Sequence, residues 1–189
     1  MTAHRLIRWS LYVLAGVVGV FALMALIGAL LPREYQAEGS TEVPAPPEAV
    51  EAALLNVQDY PSWRPWVRSI ASFEEIRAGE IVKKLRWTEV AQSGERISFA
   101  LMEHVPRRRL VVEMVSEDLG YGGVWTYQLE PSERGTRIRV TEAGHISNLL
   151  MRFFFHVFLG KEDGVKLILR AFQVRFPEVA APVPVESGG

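Results

Sequence analysis

The longest run of residues without a charge lies near the start of the chain and restricts its fold more than any other feature. From residue 9 to residue 31 it reads WSLYVLAGVVGVFALMALIGALL. As a helix with about 1.5 Å of rise per residue, this run extends roughly 34 Å, enough to cross a hydrocarbon core of about 30 Å. Pro32 follows it, and proline cannot continue the helical hydrogen bonds. The sequence therefore predicts a transmembrane anchor at residues 9–31.

A cleavable signal peptide is the alternative interpretation, because it also combines a basic start with an apolar run. Its apolar region is about 7–15 residues long and ends at a small-x-small site, whereas this run is longer and ends in GALLPRE. Arg5 and Arg8 precede the run, and Glu34 and Glu38 follow it closely. This charge bias predicts residues 1–8 in the cytoplasm and the following domain on the outer side of the cytoplasmic membrane, in the periplasm of a bacterium.

Charge and composition exclude several classes of protein. All but two of the 21 basic residues follow the apolar run, where 22 acidic residues outnumber them, so no basic surface for nucleic acid is indicated. The absence of cysteine excludes disulfides, thiol catalysis and cysteine-based zinc sites. The histidines lack metal-ligand spacing, and no phosphate-binding glycine loop or hydrolase motif is present. We therefore expect neither a metal nor another cofactor.

Strand-like and helix-like patterns fill the rest of the chain. EYQAEGSTEV predicts a strand, PEAVEAALLN predicts a short helix, and DYPSWRPWVRSI predicts a second short helix that runs into a strand. From about Ser69, five further alternating runs are separated by turn residues, which predicts antiparallel strands. ISNLLMRFFFHVFL and VKLILRAFQVRF have helical lengths. The proline-rich residues 177–189 are expected to be a disordered tail.

The alternating runs place apolar side chains on one face of the predicted sheet. Before the last two strands, that face carries Leu85, Trp87, Ile97, Phe99, Leu101, Leu110, Val112 and Met114. The opposite face carries charged residues such as Lys84 and Arg86. Because successive side chains of a strand point to opposite faces, we expect one buried face, covered by the C-terminal helices.

The last two strands are predicted to form a hairpin whose inner row ends in a carboxylate. A tight turn at SERG pairs Tyr127 with Val140 and Trp125 with Glu142. A carboxylate on an inner face is costly unless it is paired or hydrogen-bonded. Two interpretations follow for Glu142: a polar ligand-binding or acid–base group with a raised pKa, or a structural carboxylate that reaches solvent, caps the next helix or pairs with Arg152.

Several segments together resemble the SRPBCC superfamily, which includes START-like and polyketide cyclase/dehydrase-like proteins. They are VPAPPEAVEAAL, the W-x-x-W stretch that begins at Trp63, the G-x-W-x-Y-x-L-x-P run that begins at Gly123, and GTRIRVTEAG. The resemblance covers residues 34–176 and implies an α+β helix-grip fold, in which a curved antiparallel sheet of six or seven strands wraps around a long C-terminal helix. It also implies a deep apolar cavity between sheet and helix that holds lipids, sterols or polyketides.

This implied cavity gives a set of candidate ligand-binding residues. They are Trp63, Trp66, Trp87, Phe99, Met114, Trp125, Tyr127, Val140, Glu142 and Phe154. Ordinary core packing is the alternative interpretation of the tryptophans. Phe153, Phe154 and Phe155 cannot all point inward from one helix, so at least one is expected to be exposed or to contact a lid or the bilayer.

Three functions remain compatible with the sequence. The first is a membrane-anchored domain that binds a hydrophobic small molecule such as a lipid, an isoprenoid or a polyketide-like compound. The second is a polyketide cyclase/dehydrase-like enzyme that uses Glu142, with His145 nearby, as an acid–base group. The third is a ligand-free structural domain of a membrane complex. We favour the first, a binding domain rather than an enzyme, with a hydrophobic molecule and the membrane as partners.

Overall fold

A computed structural model of the chain describes residues 3–116 and 118–178. The predicted tail from residue 179 onward lies outside the described residues. The first element, α1 (Ala3–Leu30), contains 23 residues, Arg8–Leu30, that are long and apolar enough to cross a membrane. The side chains of this span are exposed along almost its whole length, as expected of a helix that faces lipid.

The remaining elements alternate between a small helical segment and one large sheet. After β1 (Glu34–Val43) come α2 (Pro47–Leu55), a short 3₁₀ turn (Val57–Asp59) and α3 (Tyr60–Trp63). Six strands follow: β2 (Val67–Ala78), β3 (Ile81–Ala91), β4 (Arg96–Val105), β5 (Arg109–Ser116), β6 (Tyr121–Ser132) and β7 (Gly135–Ile146). The chain then forms α4 (Leu149–Phe158) and α5 (Asp163–Arg175).

The helix boundaries have local causes. Pro47 occupies the first turn of α2, where its missing N–H would have no partner, and Glu48 adds a negative charge near the helix N-terminus. The side chain of Asn148 caps α4 by accepting a hydrogen bond of 3.0 Å from the backbone N–H of Met151. The loop between α4 and α5 contains Gly160, whose N–H donates to Asp163 Oδ2 at 2.8 Å.

All seven strands form one antiparallel sheet in the order β1-β7-β6-β5-β4-β3-β2. This confirms the α+β helix-grip fold and its strand count. The hairpin register is also as predicted: Tyr127 lies opposite Val140, and Trp125 lies opposite Glu142. Only two residues separate Ser132 from its strand partner Gly135, so the hairpin turn fixes which face each later residue occupies.

The core lies between α5 and the inner face of the sheet. From α5, the buried side chains are Val165, Ile168, Ala171 and Phe172. They pack into one cluster with α2, α3 and inward residues of six of the seven strands. Phe172 is fully buried and lies 5.4 Å from the ring of Trp63 and 6.3 Å from that of Tyr127. The sheet therefore curves around its last helix, α5.

Candidate functional site

A cavity of about 140 Å³ lies between α5 and the inner face of β3 to β6. The strands contribute Leu85, Trp87, Ile97, Phe99, Leu101, Leu110, Val112, Met114, Trp125 and Tyr127. Because side chains alternate along each strand, every second residue of these strands reaches the cavity wall. The apolar row that the sequence predicted on β3, β4 and β5 is this wall.

Helices and their connections close the other side of the cavity. Leu54 and Leu55 come from α2, and Gly164, Leu167 and Ile168 come from α5. Leu167 is 43% exposed, so the cavity wall reaches the surface along α5. The volume is close to that of an engineered apolar cavity of about 150 Å³ that binds benzene. The cavity can therefore hold a single ring or the end of a longer apolar chain.

One buried ion pair interrupts this apolar wall. Arg64 and Glu89 both line the cavity and are only 5% and 3% exposed. Arg64 Nη1 lies 3.6 Å from Glu89 Oε1, which is longer than an ideal charge-assisted hydrogen bond. Burying two charges is costly unless their partners are well placed. The pair is therefore the polar feature that most distinguishes this cavity from ordinary core.

Aromatic residues surround the charges of this pair. The guanidinium carbon of Arg64 lies 3.5 Å from the centre of the Tyr60 ring and 4.7 Å from that of Trp63, close enough for cation–π attraction. Trp87 Nε1 donates to Glu89 Oε1 at 3.0 Å. Arg64 Nε has no hydrogen-bond partner among the described residues. The guanidinium thus keeps one buried N–H that donates to no group among the described residues.

Burial also sets the protonation of the groups near the ion pair. It raises the pKa of the Glu89 carboxyl, although Arg64 and the Trp87 N–H oppose this change. It also raises the pKa of the Tyr127 hydroxyl to about 12, again against the effect of Arg64. Tyr127 is therefore protonated at neutral pH. Together with Arg64, it forms a group that can hydrogen-bond to a carbonyl or hydroxyl of an apolar molecule.

Glu142 lies behind the cavity wall. It is 4% exposed, and its Oε1 accepts a hydrogen bond of 2.6 Å from the Tyr35 hydroxyl. Its Oε2 faces Gly164, where an added Cβ would lie 3.1 Å away. Burial raises the pKa of Glu142, and the bond from Tyr35 partly offsets this. The helix cap and the pairing with Arg152 that the sequence suggested are not formed, because Asn148 caps α4 and Arg152 donates to Ile146 O at 2.8 and 3.0 Å.

The structure separates the candidate ligand-binding residues into three groups. Those at the cavity wall are Trp66, Trp87, Phe99, Met114, Trp125 and Tyr127. Trp63, Val140 and Glu142 are buried beside or behind the wall. Phe154 lies elsewhere, 43% exposed on the outer side of α4. Ligand binding by any of these residues stays a prediction.

Sequence reasoning missed the ion pair at the cavity wall. Glu89 follows Leu85 and Trp87 at the same two-residue period, so extending that inner row by one step would have found it. Arg64 gave no comparable signal, because it lies between α3 and β2 in a segment without a period. The described residues contain no cluster of three or more histidine or acidic side chains suited to a metal ion.

Comparison with known proteins places the fold among characterised families. A family described as polyketide cyclase/dehydrase and lipid transport matches residues 34–172, the part of the chain that carried the predicted resemblance. No curated protein matches the sequence at a significant level.

Solved structures with the same fold share little sequence with this chain. The di-domain ARO/CYC protein StfQ from the steffimycin biosynthetic pathway has a TM-score of 0.57 and 14% identity, and the match covers 76% of this chain and 51% of StfQ. The chain thus spans about half the length of that protein. The ZhuI aromatase/cyclase from Streptomyces sp. R1128 has a TM-score of 0.56 and 14% identity over 75% of this chain and 93% of its own. A protein from Chromobacterium violaceum has a TM-score of 0.51 and 18% identity over 79% and 99%.

Proposed function

Because the chain belongs to the polyketide cyclase/dehydrase and lipid transport family, we propose that it binds a hydrophobic small molecule in the cavity between α5 and the sheet. The observation that carries the proposal is an apolar cavity with one buried cation, Arg64, in its wall. Apolar sites with a few convergent polar groups are typical of small-molecule binding. The apolar wall supplies affinity, and Arg64 with Tyr127 orients an oxygen of the ligand.

The size of the cavity restricts the ligand. At about 140 Å³ it is smaller than the roughly 300–1,000 Å³ usual for drug-sized ligands. The ligand therefore inserts one ring or one end of an acyl or isoprenoid chain, while the remainder leaves past Leu167. An oxygen on the inserted end meets Arg64. A lipid, an isoprenoid or a polyketide-like compound satisfies these requirements.

We also propose that α1 holds this domain at a membrane. Arg5 and Arg8 lie at the start of the span, and Glu34 and Glu38 follow it closely, which supports a cytoplasmic N-terminus and a domain on the outer side of the cytoplasmic membrane. In a bacterium the domain would then lie in the periplasm. Such a position keeps the cavity close to a supply of apolar molecules.

Native mass spectrometry of the protein extracted in a mild detergent tests ligand binding. We expect a co-purifying hydrophobic molecule on the wild-type protein. Leu101→Trp places a large ring in the cavity and should lower ligand occupancy at least about tenfold, which corresponds to about 1.4 kcal/mol. Met102→Trp is the matched control, because Met102 is 62% exposed and does not line the cavity.

The outcomes separate the proposal from its alternatives. Equal occupancy in the two folded variants would place the ligand elsewhere. If none of the three proteins carries a bound mass, the ligand-free structural domain becomes the better interpretation. Thermal unfolding of each variant shows whether Leu101→Trp still folds, since overpacking a core costs about 1–3 kcal/mol.

A cyclase-type enzyme is a second candidate, favoured by the convergence of Arg64 and Tyr127 at the cavity wall. Their donors could stabilise the negative charge that develops on a carbonyl oxygen during carbon–carbon bond formation. Conversion of a poly-β-keto thioester into a cyclic product, abolished in Tyr127→Phe, would support this candidate. Glu142 is a poorer acid–base group than the sequence suggested, because Tyr35 already occupies one of its oxygens.

A further inference from the structure

Helix α4 exposes an apolar face that the cavity does not use. The exposed fractions are 43% for Phe154, 53% for Val157, 68% for Phe158 and 53% for Leu159, the residue that follows the helix. Large apolar side chains that are contiguous on a surface mark an interaction site. Arg152 and His156 are the two ionisable residues of this helix.

Both of these ionisable side chains point toward the end of α1. Arg152 Nη1 donates to the carbonyl oxygens of Gly28 at 3.3 Å and Leu31 at 3.4 Å, and His156 Nε2 donates to Pro32 O at 3.0 Å. The last carbonyls of a helix have no partner within it and carry partial negative charge. Arg152 is therefore paired with carbonyls at the end of α1 and at the end of β7, and the exposed face of α4 remains uncharged.

The two helices are in close contact along the last two turns of α1. In α1, Met24, Ala25 and Gly28 are less exposed than their neighbours, and so is Leu31, which follows the helix. A Cβ at Gly28 would lie 2.0 Å from the backbone oxygen of Leu149, so only glycine permits this approach. Small residues allow the same close packing between helices in membranes. The close contact therefore depends on the small residue of α1 and on the position of the α4 backbone.

The position of this contact along α1 sets the depth of α4. Residues 24–30 of α1 correspond to roughly 10 Å of helix rise, and they belong to the apolar run that is long enough to cross a bilayer. A helix packed beside them lies at the same depth as the outer part of the hydrocarbon core. Interfacial helices place their apolar faces about 5–10 Å into the boundary between headgroups and acyl chains.

We propose that α4 is inserted into the membrane beside α1, with Phe154, Val157 and Phe158 in contact with lipid. The occupant of this surface is the bilayer that α1 would cross, because α4 packs against the last turns of α1 and exposes apolar, uncharged side chains beside them. The inference rests on the membrane anchor of the proposed function, but it is independent of the cavity. The two helices together then fix the orientation of the domain against the bilayer.

The connection between anchor and domain is consistent with a fixed orientation. Arg33 O accepts a hydrogen bond of 2.8 Å from the N–H of Ile146, and Arg33 Nη2 donates to Ser147 Oγ at 2.9 Å. The segment that leaves α1 is therefore bound to the end of β7 before β1 begins. A tether held in this way cannot move the domain away from the membrane surface without breaking these contacts.

Spin labels on single cysteines in the full chain test the insertion. The chain contains no cysteine, so each label reports one position. We would label Phe154→Cys and Phe158→Cys, with Met102→Cys and Val174→Cys as exposed controls on β4 and α5 (62% and 72% exposed). The protein is reconstituted into vesicles of phosphatidylethanolamine and phosphatidylglycerol. Collisions with oxygen, which concentrates in lipid, are compared with collisions with a water-soluble nickel chelate.

Insertion predicts an oxygen-to-nickel collision ratio several-fold higher at residues 154 and 158 than at residues 102 and 174. A label at Val18, in the middle of the span, tests α1 separately. If Val18→Cys lies in lipid but residues 154 and 158 match the exposed controls, α4 is not inserted although the anchor is. If Val18→Cys is itself in water, the anchor fails and the insertion fails with it. Protection of residues 154 and 158 from both reagents would mean a protein contact, such as a second copy, and would also overturn the proposal.

Discussion

Glu89 and Glu142 are both buried carboxylates with raised pKa values, but their partners differ in charge. Glu89 has the cation of Arg64 at 3.6 Å and a neutral donor, Trp87. Glu142 has a neutral donor, the hydroxyl of Tyr35. A carboxylate that is buried beside a cation balances the charge of that cation. A carboxylate that is buried beside a neutral donor has no such partner and is less stable when it is ionised. Removing the charge of Glu89 therefore leaves a buried cation without a counter-charge, whereas removing the charge of Glu142 does not.

For Glu142→Gln we predict a stability gain over wild type that appears as the pH rises. Because the folded-state pKa of Glu142 lies above its unfolded value, its contribution is fully present below the unfolded pKa of about 4.3 and is lost as pH rises through the folded pKa. Glutamine does not titrate and can still accept the bond from Tyr35. The unfolding free energy of the variant minus that of the wild type, measured in micelles between pH 4 and pH 8, should increase with pH.

The stability of Glu89→Gln should differ from that of Glu142→Gln. Glu89→Gln leaves the Arg64 cation buried without a counter-charge, and breaking a buried ion pair from one side costs about 3 kcal/mol or more. At pH 7 this variant should be less stable than the wild type by roughly that amount, while Glu142→Gln is at least as stable. A loss of similar size in both variants would show that the Tyr35 bond requires the charge of Glu142.

Alternation along strands predicted which residues face each other but not which polar groups meet. It placed Glu142 opposite Trp125, as observed, because a two-residue hairpin loop leaves one register that buries the apolar row. The partner of Glu142 was not predictable, because Tyr35 lies more than 100 residues away on β1. Arg64 was missed for a related reason, since a segment without a period does not indicate where its side chains point.

The local sequence of a strand determines more of its place in this fold than the local sequence of a helix does. The strands follow their sequence pattern closely, because a period of two together with one buried face specifies both element and orientation. Helix α4 was predicted as an element, but its neighbour was not. Its contact with α1 joins residues 124 positions apart in the sequence, Arg152 and Gly28. No local sequence pattern predicts a contact between residues so far apart.

The contact between α1 and α4 makes Gly28 sensitive to substitution. In Gly28→Ala the added Cβ meets the backbone of Leu149, which can be relieved only by moving one helix. We predict that the amide hydrogens of α4 exchange at least several-fold faster in this variant. With the two helices farther apart, α4 can open locally without breaking its close contact with α1. Hydrogen exchange of the full chain in micelles, followed by mass spectrometry, measures this directly.

Gly19→Ala is the matched control for this substitution. It lies in the same helix, and an added Cβ there meets nothing within 4 Å among the described residues. Both variants gain the same helix propensity, so any difference between them comes from the contact with α4. Equal exchange of residues 149–158 in the two variants would contradict close packing of α4 against α1.

At the scale of the whole molecule, α1 and the domain meet through two sets of contacts. Arg33 binds the end of β7, and Arg152 binds the end of α1. A single flexible linker would let the domain sample many orientations, whereas these contacts hold residues 28–33, just before β1, against the end of β7 and against α4. In the proposed membrane-anchored arrangement, the side of the membrane on which the domain lies therefore follows from the orientation of α1.

That orientation is predicted from charge. Arg5 and Arg8 precede the span, and basic residues near a span favour the cytoplasmic side. Fusions at the C-terminus in a bacterial host should therefore give an active alkaline phosphatase, which folds outside the cytoplasm, and a dark green fluorescent protein. Substituting both arginines by glutamate leaves Arg33, on the other side of the span, as the nearest cation, so part of the population should invert and phosphatase activity should fall. A bright fluorescent fusion on the unmodified chain would place the domain in the cytoplasm, and the cavity would then open toward a different pool of hydrophobic molecules.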